Sequence, residues 1–233
     1  MIIKFKKIKF SNYSFKYIFN KISKGGVLVA PAASALADID KNKVYYQSLI
    51  KSDIVIFDSG FFCILLRIFK GIKVKKLSGY KFLKLFLNKK ILRNSQILLI
   101  NPNKIDQRAN TNFLKKQKIN NFSNYLAPKY NINNIRDFKL IQFINKNKPD
   151  FIIVNLGGGI QEPLGIYIKK NIKYKAGIIC TGAAIAFMTK RQAPINDLVD
   201  RLYLGWAVRN LFTPRISTPR TLNSFRLIKY FFN

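Results

Sequence analysis

The feature that most constrains this fold is a short apolar run ending in three consecutive glycines, PDFIIVNLGGGIQE, at residues 149–162. The run Phe151–Val154 does not alternate between apolar and polar residues, which is typical of a strand buried on both faces of a parallel sheet. Gly157–Gly159 follow at its carboxyl end, where open α/β sheets bind ligands and where glycine lets backbone approach a ligand closely. We therefore expect Gln161 and Glu162 to project into a cleft. A tight turn without a ligand is the alternative.

Two other predicted strands also end in small residues. Val27–Val29 runs into Ala30–Ala35, and Gly177–Cys180 runs into Thr181–Ala184. With the glycine loop, these ends would line one crevice if the three strands are parallel neighbours, and a nucleotide fits such a crevice. Close packing of helix on sheet is the alternative. Strands alternating with helices over 233 residues predict one α/β domain with a largely parallel sheet.

A carboxylate stands at the end of a further predicted strand, Ile54–Phe57. Asp58 follows this strand directly, and an apolar helix, Phe61–Phe69, comes next and is expected to be buried. Rigid backbone would hold the carboxylate open to the cleft, which suits a general base. Aspartate also caps helices readily, so an N-cap is the alternative.

An Asp-x-Asp pair, Asp38 and Asp40, has the pattern that many sugar-nucleotide transferases use to hold a divalent metal. We expect both residues on the first turns of a helix running to about Ser52, where positions i and i+2 point to different faces. Interaction with the helix dipole is therefore favoured over chelation. The chain has no histidine, which excludes histidine-based acid–base chemistry and histidine-ligated metal sites. Cys63 and Cys180 lie in apolar runs and predict buried thiols of a reducing compartment.

The net charge is +32, from 42 Lys and Arg against 10 Asp and Glu. Nucleic acid, an anionic membrane or lipid substrate, and compositional drift towards Lys, Asn, Ile and Phe would each account for this excess. The lysines are spread along the chain, which favours drift for the magnitude, then membrane or anionic substrate, then nucleic acid. A non-catalytic basic protein that binds an anionic membrane or nucleic acid is the alternative to an enzyme.

Targeting signals are not evident in the sequence. Lysines interrupt the apolar residues of the first 22 positions, which argues against a signal peptide. The longest candidate for a membrane span, Ile54–Phe69, is broken by Asp58 and Arg67, short of the roughly 20 apolar residues that a span needs. We expect a cytoplasmic protein that can lie against a membrane.

The C-terminal part differs in composition, because Arg is concentrated there whereas Lys dominates elsewhere. Arg209 and Arg215 alternate with apolar residues and with the single tryptophan, Trp206. Arginine binds phosphate bidentately and tryptophan suits a membrane interface, so one interpretation is an amphipathic appendage that faces lipid phosphates. A C-terminal helix packed on the body with exposed arginines is the other. We predict a core over residues 1–194 and an appendage over residues 195–233.

Four blocks occur in a definite order along the chain. They are PD…GGGIQE at residues 149–162, GAAIAF at 182–187, QAP at 192–194, and LGW…R…PR at 204–215. In order and spacing they resemble the PD…GxPxQE, GAAFDF, RAP and LEW…R…PR blocks of the WecG/TagA/CpsF family of bacterial glycosyltransferases (glycosyltransferase family 26). The resemblance covers roughly residues 25–215.

This resemblance implies a Rossmann-like core of parallel sheet flanked by helices, with a helical, Arg-rich appendage that meets the cytoplasmic face of the membrane. It implies inverting, metal-independent transfer of a hexose or N-acetylhexosamine, of the N-acetylmannosamine type, in surface polysaccharide synthesis. The donor would be a UDP-sugar and the acceptor a polyprenyl-diphosphate-linked sugar. The family's strand-end aspartate corresponds to Asp58, the general base, and Arg209 and Arg215 would face diphosphate or lipid headgroups. Substrate contacts are expected from Gly157, Gly158, Gly159, Gln161, Glu162, Thr181, Gly182, Ala183 and Ala184.

Several family residues are replaced. The Thr-x-Asn at the first strand end is Ala30-Pro31-Ala32, and Ala186, Gly205, Lys81 and Gly159 stand where the family has Asp, Glu, Asp and Pro. Lost polar groups leave open another donor sugar or an inactive member, and Asp58, Gln161 and Glu162 favour activity. The acceptor and the oligomeric state, a homo-oligomer included, also stay open.

Overall fold

A mostly parallel sheet forms the centre of the protein, and the computed structural model describes it over residues 1–232. Within that range the sheet has eight strands in the order β1-β2-β4-β3-β8-β7-β5-β6, and only the β1–β2 pair is antiparallel. The strands are β1 Ile2–Phe5, β2 Ile8–Ser11, β3 Gly26–Val29, β4 Ile54–Val55, β5 Ile97–Asn101, β6 Phe122–Leu126, β7 Phe151–Val154 and β8 Gly177–Cys180.

Helices cover both faces of this sheet. They are α1 Phe15–Ile22, α2 Ala33–Leu36, α3 Lys43–Lys51, α4 Gly60–Lys70, α5 Gly79–Leu87, α6 Lys104–Lys116, α7 Phe138–Asn147, α8 Gln161–Asn171, α9 Ala184–Met188, α10 Asp197–Arg201, α11 Gly205–Phe212 and α12 Pro214–Phe225. Two 3-10 segments, Lys90–Arg93 and Arg226–Phe231, complete the elements. The predicted α/β class, with a helical C-terminal end, is confirmed.

The three strands that end in small residues lie side by side. β8 pairs in parallel with β3 on one side and with β7 on the other. This is the arrangement that the shared-crevice prediction requires. Successive residues of β7 point to opposite faces, so Ile152 joins the core on one face and Ile153 the core on the other. Burial on both faces explains why this strand has no polar alternation.

The N-terminal hairpin was not predicted, because its turn lacks glycine and asparagine. Lys6 and Lys7 occupy the turn with φ of 44° and 65°, a left-handed conformation that two-residue hairpins need. Phe5 and Phe10 nevertheless carry this hairpin into the main core, where both are buried.

Two helix predictions are wrong in detail. The helix expected to run to about Ser52 is two helices, since α2 ends at Leu36 and α3 begins at Lys43, where the Asn42 side chain accepts a hydrogen bond from the Tyr45 amide. α4 was expected to be buried throughout, but Ile64 and Ile68 are 45% and 67% exposed. They lie one turn apart, so α4 buries one face and leaves an apolar stripe on the other.

The C-terminal segment is exposed in its first helices and buried in the main core at its end. α10 and α11 contain no fully buried residue, whereas Leu227, Tyr230 and Phe231 are buried in the main core. The division into residues 1–194 and 195–233 stays a prediction, and Asn233 lies outside the described residues. In the part of the chain that the structure describes, no helix combines the length and apolar content needed to cross a bilayer.

Candidate functional site

Asp58 lies at the carboxyl end of β4, in a bend between two helix N-termini. Its Oδ1 accepts a hydrogen bond from the backbone amide of Gly79, the first residue of α5, at 2.7 Å. Ser59, not Asp58, is the N-cap of α4, since its Oγ accepts from the Phe62 amide at 3.3 Å. The Asp58 carboxylate is therefore half-buried and held from a neighbouring element, and it does not cap the helix that follows it.

The charge state of Asp58 reflects opposing influences. Burial raises the pKa of its carboxyl group above the ordinary value, and this is the dominant effect. The Gly79 amide and the positive charges of Arg209 and Lys76 lower the pKa, while Asp200 raises it. A carboxylate with a raised pKa is a stronger base than an exposed aspartate, which is the property that proton abstraction needs.

Residues from the C-terminal segment reach this position. Lys76 donates to the Asp200 carboxylate, and both side chains are nearly buried, 11% and 13% exposed. The ammonium of Lys76 also lies 4.7 Å from the centre of the Tyr203 ring. Tyr203 covers Gly60, where an added Cβ would lie 2.1 Å from its Cδ1 atom. The segment over residues 200–209 thus forms one wall beside Asp58.

Thr181 connects the Asp58 end of the sheet to the glycine loops. An added Cβ on Gly79 would lie 3.1 Å from the Thr181 Cβ and 3.2 Å from the Ala30 Cβ, so the ends of β3 and β8 meet the start of α5. Thr181 is 8% exposed, and its Oγ1 has no hydrogen-bond partner among the described residues. An unpaired buried hydroxyl lacks a partner, which a ligand entering between these loops would supply.

Gln161 and Glu162 are 2% and 1% exposed, so they lie beneath the glycine loop and do not project into an open cleft as expected. Glu162 accepts the Gly159 amide at 2.8 Å and the Gln161 side-chain amide at 3.1 Å. Gln161 in turn accepts the Gly182 amide at 2.7 Å. Burial raises the pKa of Glu162 to about 7, against the effect of these hydrogen bonds. The two side chains therefore join the loop after β7 to the loop after β8.

A cleft opens between the loops that follow β5, β7 and β8, with about 130 Å³ accessible to water. Gly157, Gly182 and Ala183 line it, together with Asn155 and Gln192. Among its described lining residues the one charged side chain is Asp106, which is paired with Arg191 at 3.1 Å. This cleft, here called the glycine cleft, is therefore a neutral, backbone-rich surface in a strongly basic protein.

Apart from the buried Gln161 and Glu162, the predicted site residues fall into three groups. Asp58 and Thr181 flank Gly79, and Gly157, Gly182 and Ala183 line the glycine cleft. Gly158 is exposed and Gly159 half-buried in the same loop, while Ala184 is buried at the start of α9. Arg209 and Arg215 are exposed on α11 and α12. With neighbouring strands about 4.8 Å apart, β4 and β7 are separated by three strand spacings, or about 14 Å.

Two groups of residues near the site escaped sequence reasoning. The first is the pair of Lys76 with Asp200, which links positions 124 residues apart and has no local sequence signal. The second group is a buried amide cluster, in which Asn110 and Asn155 both donate to Asn101 Oδ1, at 2.7 and 3.2 Å. The sequence signal for this cluster is an asparagine, Asn101, at the end of a buried strand.

Asp38 and Asp40 have a structural setting. Asp38 accepts from Asn223 and pairs with Arg226 at 3.3 Å, while Asp40 accepts from the Tyr230 hydroxyl at 2.7 Å. They lie in the turns between α2 and α3, so they fasten the C-terminal segment to the body. Over residues 1–232 no group of three or more Cys, Asp or Glu side chains lies close enough to hold one metal ion.

Comparison with known proteins gives one match. No curated protein sequence matches the chain. The family described as glycosyl transferase WecG/TagA/CpsF matches residues 3–232, nearly the whole chain, and so includes the N-terminal hairpin, the sheet and the C-terminal segment. This match agrees with the four sequence blocks, and the chain belongs to the WecG/TagA/CpsF glycosyltransferase family.

Proposed function

We propose that this glycosyltransferase moves a hexose or N-acetylhexosamine, of the N-acetylmannosamine type, from a UDP-sugar to a polyprenyl-diphosphate-linked sugar during surface polysaccharide synthesis. Family membership supports sugar transfer. The observation that carries the finer proposal is Asp58, a half-buried strand-end carboxylate of raised pKa, fixed by the Gly79 amide beside an unpaired Thr181 hydroxyl.

In this proposal Asp58 acts as the general base of a single displacement. Its carboxylate removes the proton of the acceptor hydroxyl as that oxygen attacks the anomeric carbon. The new carbon–oxygen bond forms on the face opposite the departing UDP, whose glycosidic bond breaks with both electrons leaving on the diphosphate. The configuration at the anomeric carbon is therefore inverted.

The positive charge of Arg209 suits the leaving group. Its guanidinium lies close enough to lower the pKa of Asp58, and its Nε donates to the Gly205 carbonyl at 3.0 Å, which orients the side chain along α11. A fixed guanidinium stabilises negative charge that develops on a departing diphosphate. Arg215, exposed on the first turn of α12, is assigned to diphosphate or lipid headgroups farther out.

The glycine cleft suits the nucleoside. The described lining residues offer no Lys or Arg for a phosphate, because their one charged side chain is the carboxylate of Asp106. The separation of about 14 Å between the ends of β4 and β7 is of the same order as a ribose with its extended diphosphate. A donor lying across β8 would thus keep its base near Gly157 and Gly182 and its sugar near Asp58. The reaction is proposed to need no metal.

An apolar and basic surface supports attachment to the inner face of the cell membrane. Trp206, Leu211 and Phe212 are 50%, 81% and 61% exposed on α11, and Arg209 lies on the same helix. The exposed Ile68 of α4 is one position from Arg67, so a second element offers the same combination. Exposed apolar side chains beside cations favour the interface of an anionic bilayer.

The decisive experiment compares wild type with Asp58→Asn. Wild type should transfer sugar from a UDP-sugar to a short-chain polyprenyl-diphosphate-linked acceptor, with inversion and in the presence of EDTA. The amide cannot take the proton, so turnover should fall about 10²- to 10⁴-fold while UDP affinity and melting temperature stay near wild type. Near-wild-type turnover would remove Asp58 from the mechanism. Salt-sensitive DNA binding without any UDP binding would instead favour the non-catalytic basic protein.

A further inference from the structure

Gln161 and Glu162 form a continuous hydrogen-bonded chain between two loops. The amide of Gly159, in the loop after β7, donates to Glu162 Oε2, and the side-chain amide of Gln161 donates to Glu162 Oε1. The amide of Gly182, in the loop after β8, donates to Gln161 Oε1. A third tie comes from Cys180, whose thiol lies 3.3 Å from the Gln161 backbone carbonyl. Both side chains are almost fully buried, and each of their nitrogen and oxygen atoms has a hydrogen-bond partner within the protein.

We propose that Gln161 and Glu162 are positioning residues that join the glycine loop to the loop after β8 and so fix the width of the glycine cleft, without contacting the substrate themselves. This inference rests on the proposed function for the identity of the ligand, a UDP-sugar. The pair is called the Gln161–Glu162 clasp below.

The chemistry at the two ends of the clasp dictates its order. Both Gly159 and Gly182 present backbone N–H groups, which only donate, so an oxygen must face each of them. A carboxylate offers only acceptors, whereas an amide offers one oxygen and one NH₂ group. One carboxylate and one amide in contact can therefore satisfy both loops, with the NH₂ group donating between them. Two carboxylates or two amides would still present an oxygen to each loop, but two carboxylates lack the donor between them and two amides place one NH₂ group against another.

The clasp holds each loop at a glycine that has an unusual backbone conformation. Gly159 has φ of 94° and Gly182 has φ of 62°, in the left-handed region that L side chains rarely adopt. Such backbone persists when surrounding contacts determine it. Gly157, in the same loop as Gly159, lines the cleft from one side, and Gly182 lines it from the loop after β8. The clasp thus acts on the cleft from beneath.

A swap of the two side chains tests this inference. In Glu162→Gln the two NH₂ groups face each other, and in Gln161→Glu two carboxylates do. Each single variant should weaken UDP binding, measured by calorimetry, by about 10- to 100-fold, because a buried donor or acceptor loses its partner. The double variant Gln161→Glu/Glu162→Gln keeps an acceptor at each loop amide and restores one donor between the two side chains. It should return UDP affinity to within about threefold of wild type.

Controls separate this role from folding and from net charge. Gln142→Glu adds one negative charge, as Gln161→Glu does, but on the exposed face of α7. It should leave UDP affinity unchanged. Hydrogen exchange at the Gly159 and Gly182 amides, which needs no ligand, should speed up in both single variants and recover in the swap. Melting temperatures show which variants are folded.

The outcomes divide cleanly. A folded swap that binds UDP as weakly as the single variants would overturn the clasp, because direct contact depends on which side chain stands at each position. Single variants with wild-type affinity, or a swap that fails to fold, would also overturn it. If wild type does not bind UDP, the proposed donor is wrong, and recovery of amide exchange in the swap still decides whether the clasp exists.

Discussion

The two ends of the candidate site are built in opposite ways. At the Asp58 end, charged side chains act on one another: Lys76 pairs with Asp200, and the charges of Lys76, Asp200 and Arg209 shift the pKa of Asp58. These four residues come from four segments, and two of those segments belong to the C-terminal part. At the glycine end, charge is almost absent from the cleft surface and hydrogen bonds run beneath the backbone loops. One end is suited to proton transfer and a charged leaving group, and the other to a neutral nucleoside.

This difference shows where each end gets its stability. The Asp58 end depends on contacts between distant parts of the sequence, such as Lys76 with Asp200 and Tyr203 over Gly60. The glycine end depends on Gln161 and Glu162, which lie within five positions of the glycine loop and 21 positions or fewer from Gly182 in the loop after β8. Damage to the C-terminal segment should therefore affect catalysis at Asp58 more than nucleoside binding.

The largest effect on stability is expected from Lys76→Met. Removal of the ammonium leaves the Asp200 carboxylate nearly buried and unpaired, which should lower the free energy of unfolding by about 3 kcal/mol. Chemical denaturation measures this loss. The double variant Lys76→Met/Asp200→Leu should recover most of it, and a double variant as unstable as the single one would contradict the pairing.

A pH-dependent effect of similar size is expected from Glu162→Gln at the glycine end. The pKa of Glu162 is about 7 in the folded protein and about 4.5 when unfolded, so between these pH values the folded state binds more protons. Stability therefore falls as pH rises from 4.5 to 7, by about 3 kcal/mol for this group. Glu162→Gln has no titrating group at this position, so its free energy of unfolding lacks this pH-dependent contribution.

Thermal unfolding of both proteins across that range measures the difference. The gap between Glu162→Gln and wild type should move in favour of the variant as pH rises. Tyr45 and Cys180 also face Glu162, but burial keeps their pKa values well above this window. A gap that stays constant from pH 4.5 to 7 would contradict the raised pKa.

A smaller effect is expected from Gly60→Ala at the Asp58 end. The added methyl group would overlap the Tyr203 ring and its Cβ, so residues around Tyr203 must shift. Overpacking of this kind costs about 1–3 kcal/mol. We expect proteolysis of the C-terminal segment to speed up and turnover to fall, with UDP affinity nearly unchanged. An equal loss of UDP affinity would show that the two ends are not independent.

The smallest effect is expected from Lys84→Met. Lys84 pairs with Asp197 of α10, but these side chains are 41% and 68% exposed, in contrast to Lys76 and Asp200. Solvent screens such pairs, so the free energy of unfolding should change by less than about 1 kcal/mol. A loss as large as that of Lys76→Met would mean that α10 is held chiefly through its exposed face.

Local sequence patterns predicted the parts of the fold that have local causes. β7, β8 and β3 follow from apolar runs that end in glycine or alanine, and the position of Asp58 after β4 follows in the same way. The order of these strands places the three ends side by side as expected, but the glycine cleft is lined by the loops after β5, β7 and β8 and not by the end of β3. The hairpin turn at Lys6 and Lys7 did not follow, because tertiary packing of Phe5 and Phe10 imposes it on residues that do not favour it.

The side-chain directions at the site could not be predicted in the same way. The end of β7 indicated that Gln161 and Glu162 are near a cleft, but whether they face it depends on where Gly182 presents its amide. The wall formed by Asp200, Tyr203 and Arg209 likewise depends on the path of a segment that has little burial of its own. Sequence patterns indicate which positions of a helix or strand are buried, but they carry no information about contacts between segments that are distant in sequence.

The contact between β1 and the last 3-10 segment has a consequence for folding. Phe5 packs against Phe231 with tilted rings whose centres are 5.3 Å apart, and it also makes an edge-to-face contact with the Tyr230 ring. Residues far apart in the sequence therefore complete one aromatic cluster. Contacts between residues so far apart in sequence form slowly, because the chain loses the entropy of loop closure before these contacts can stabilise it. During synthesis the aromatic cluster against β1 would therefore stay incomplete until residues 226–231 emerge, and aggregation or chaperone capture would compete with folding at this stage.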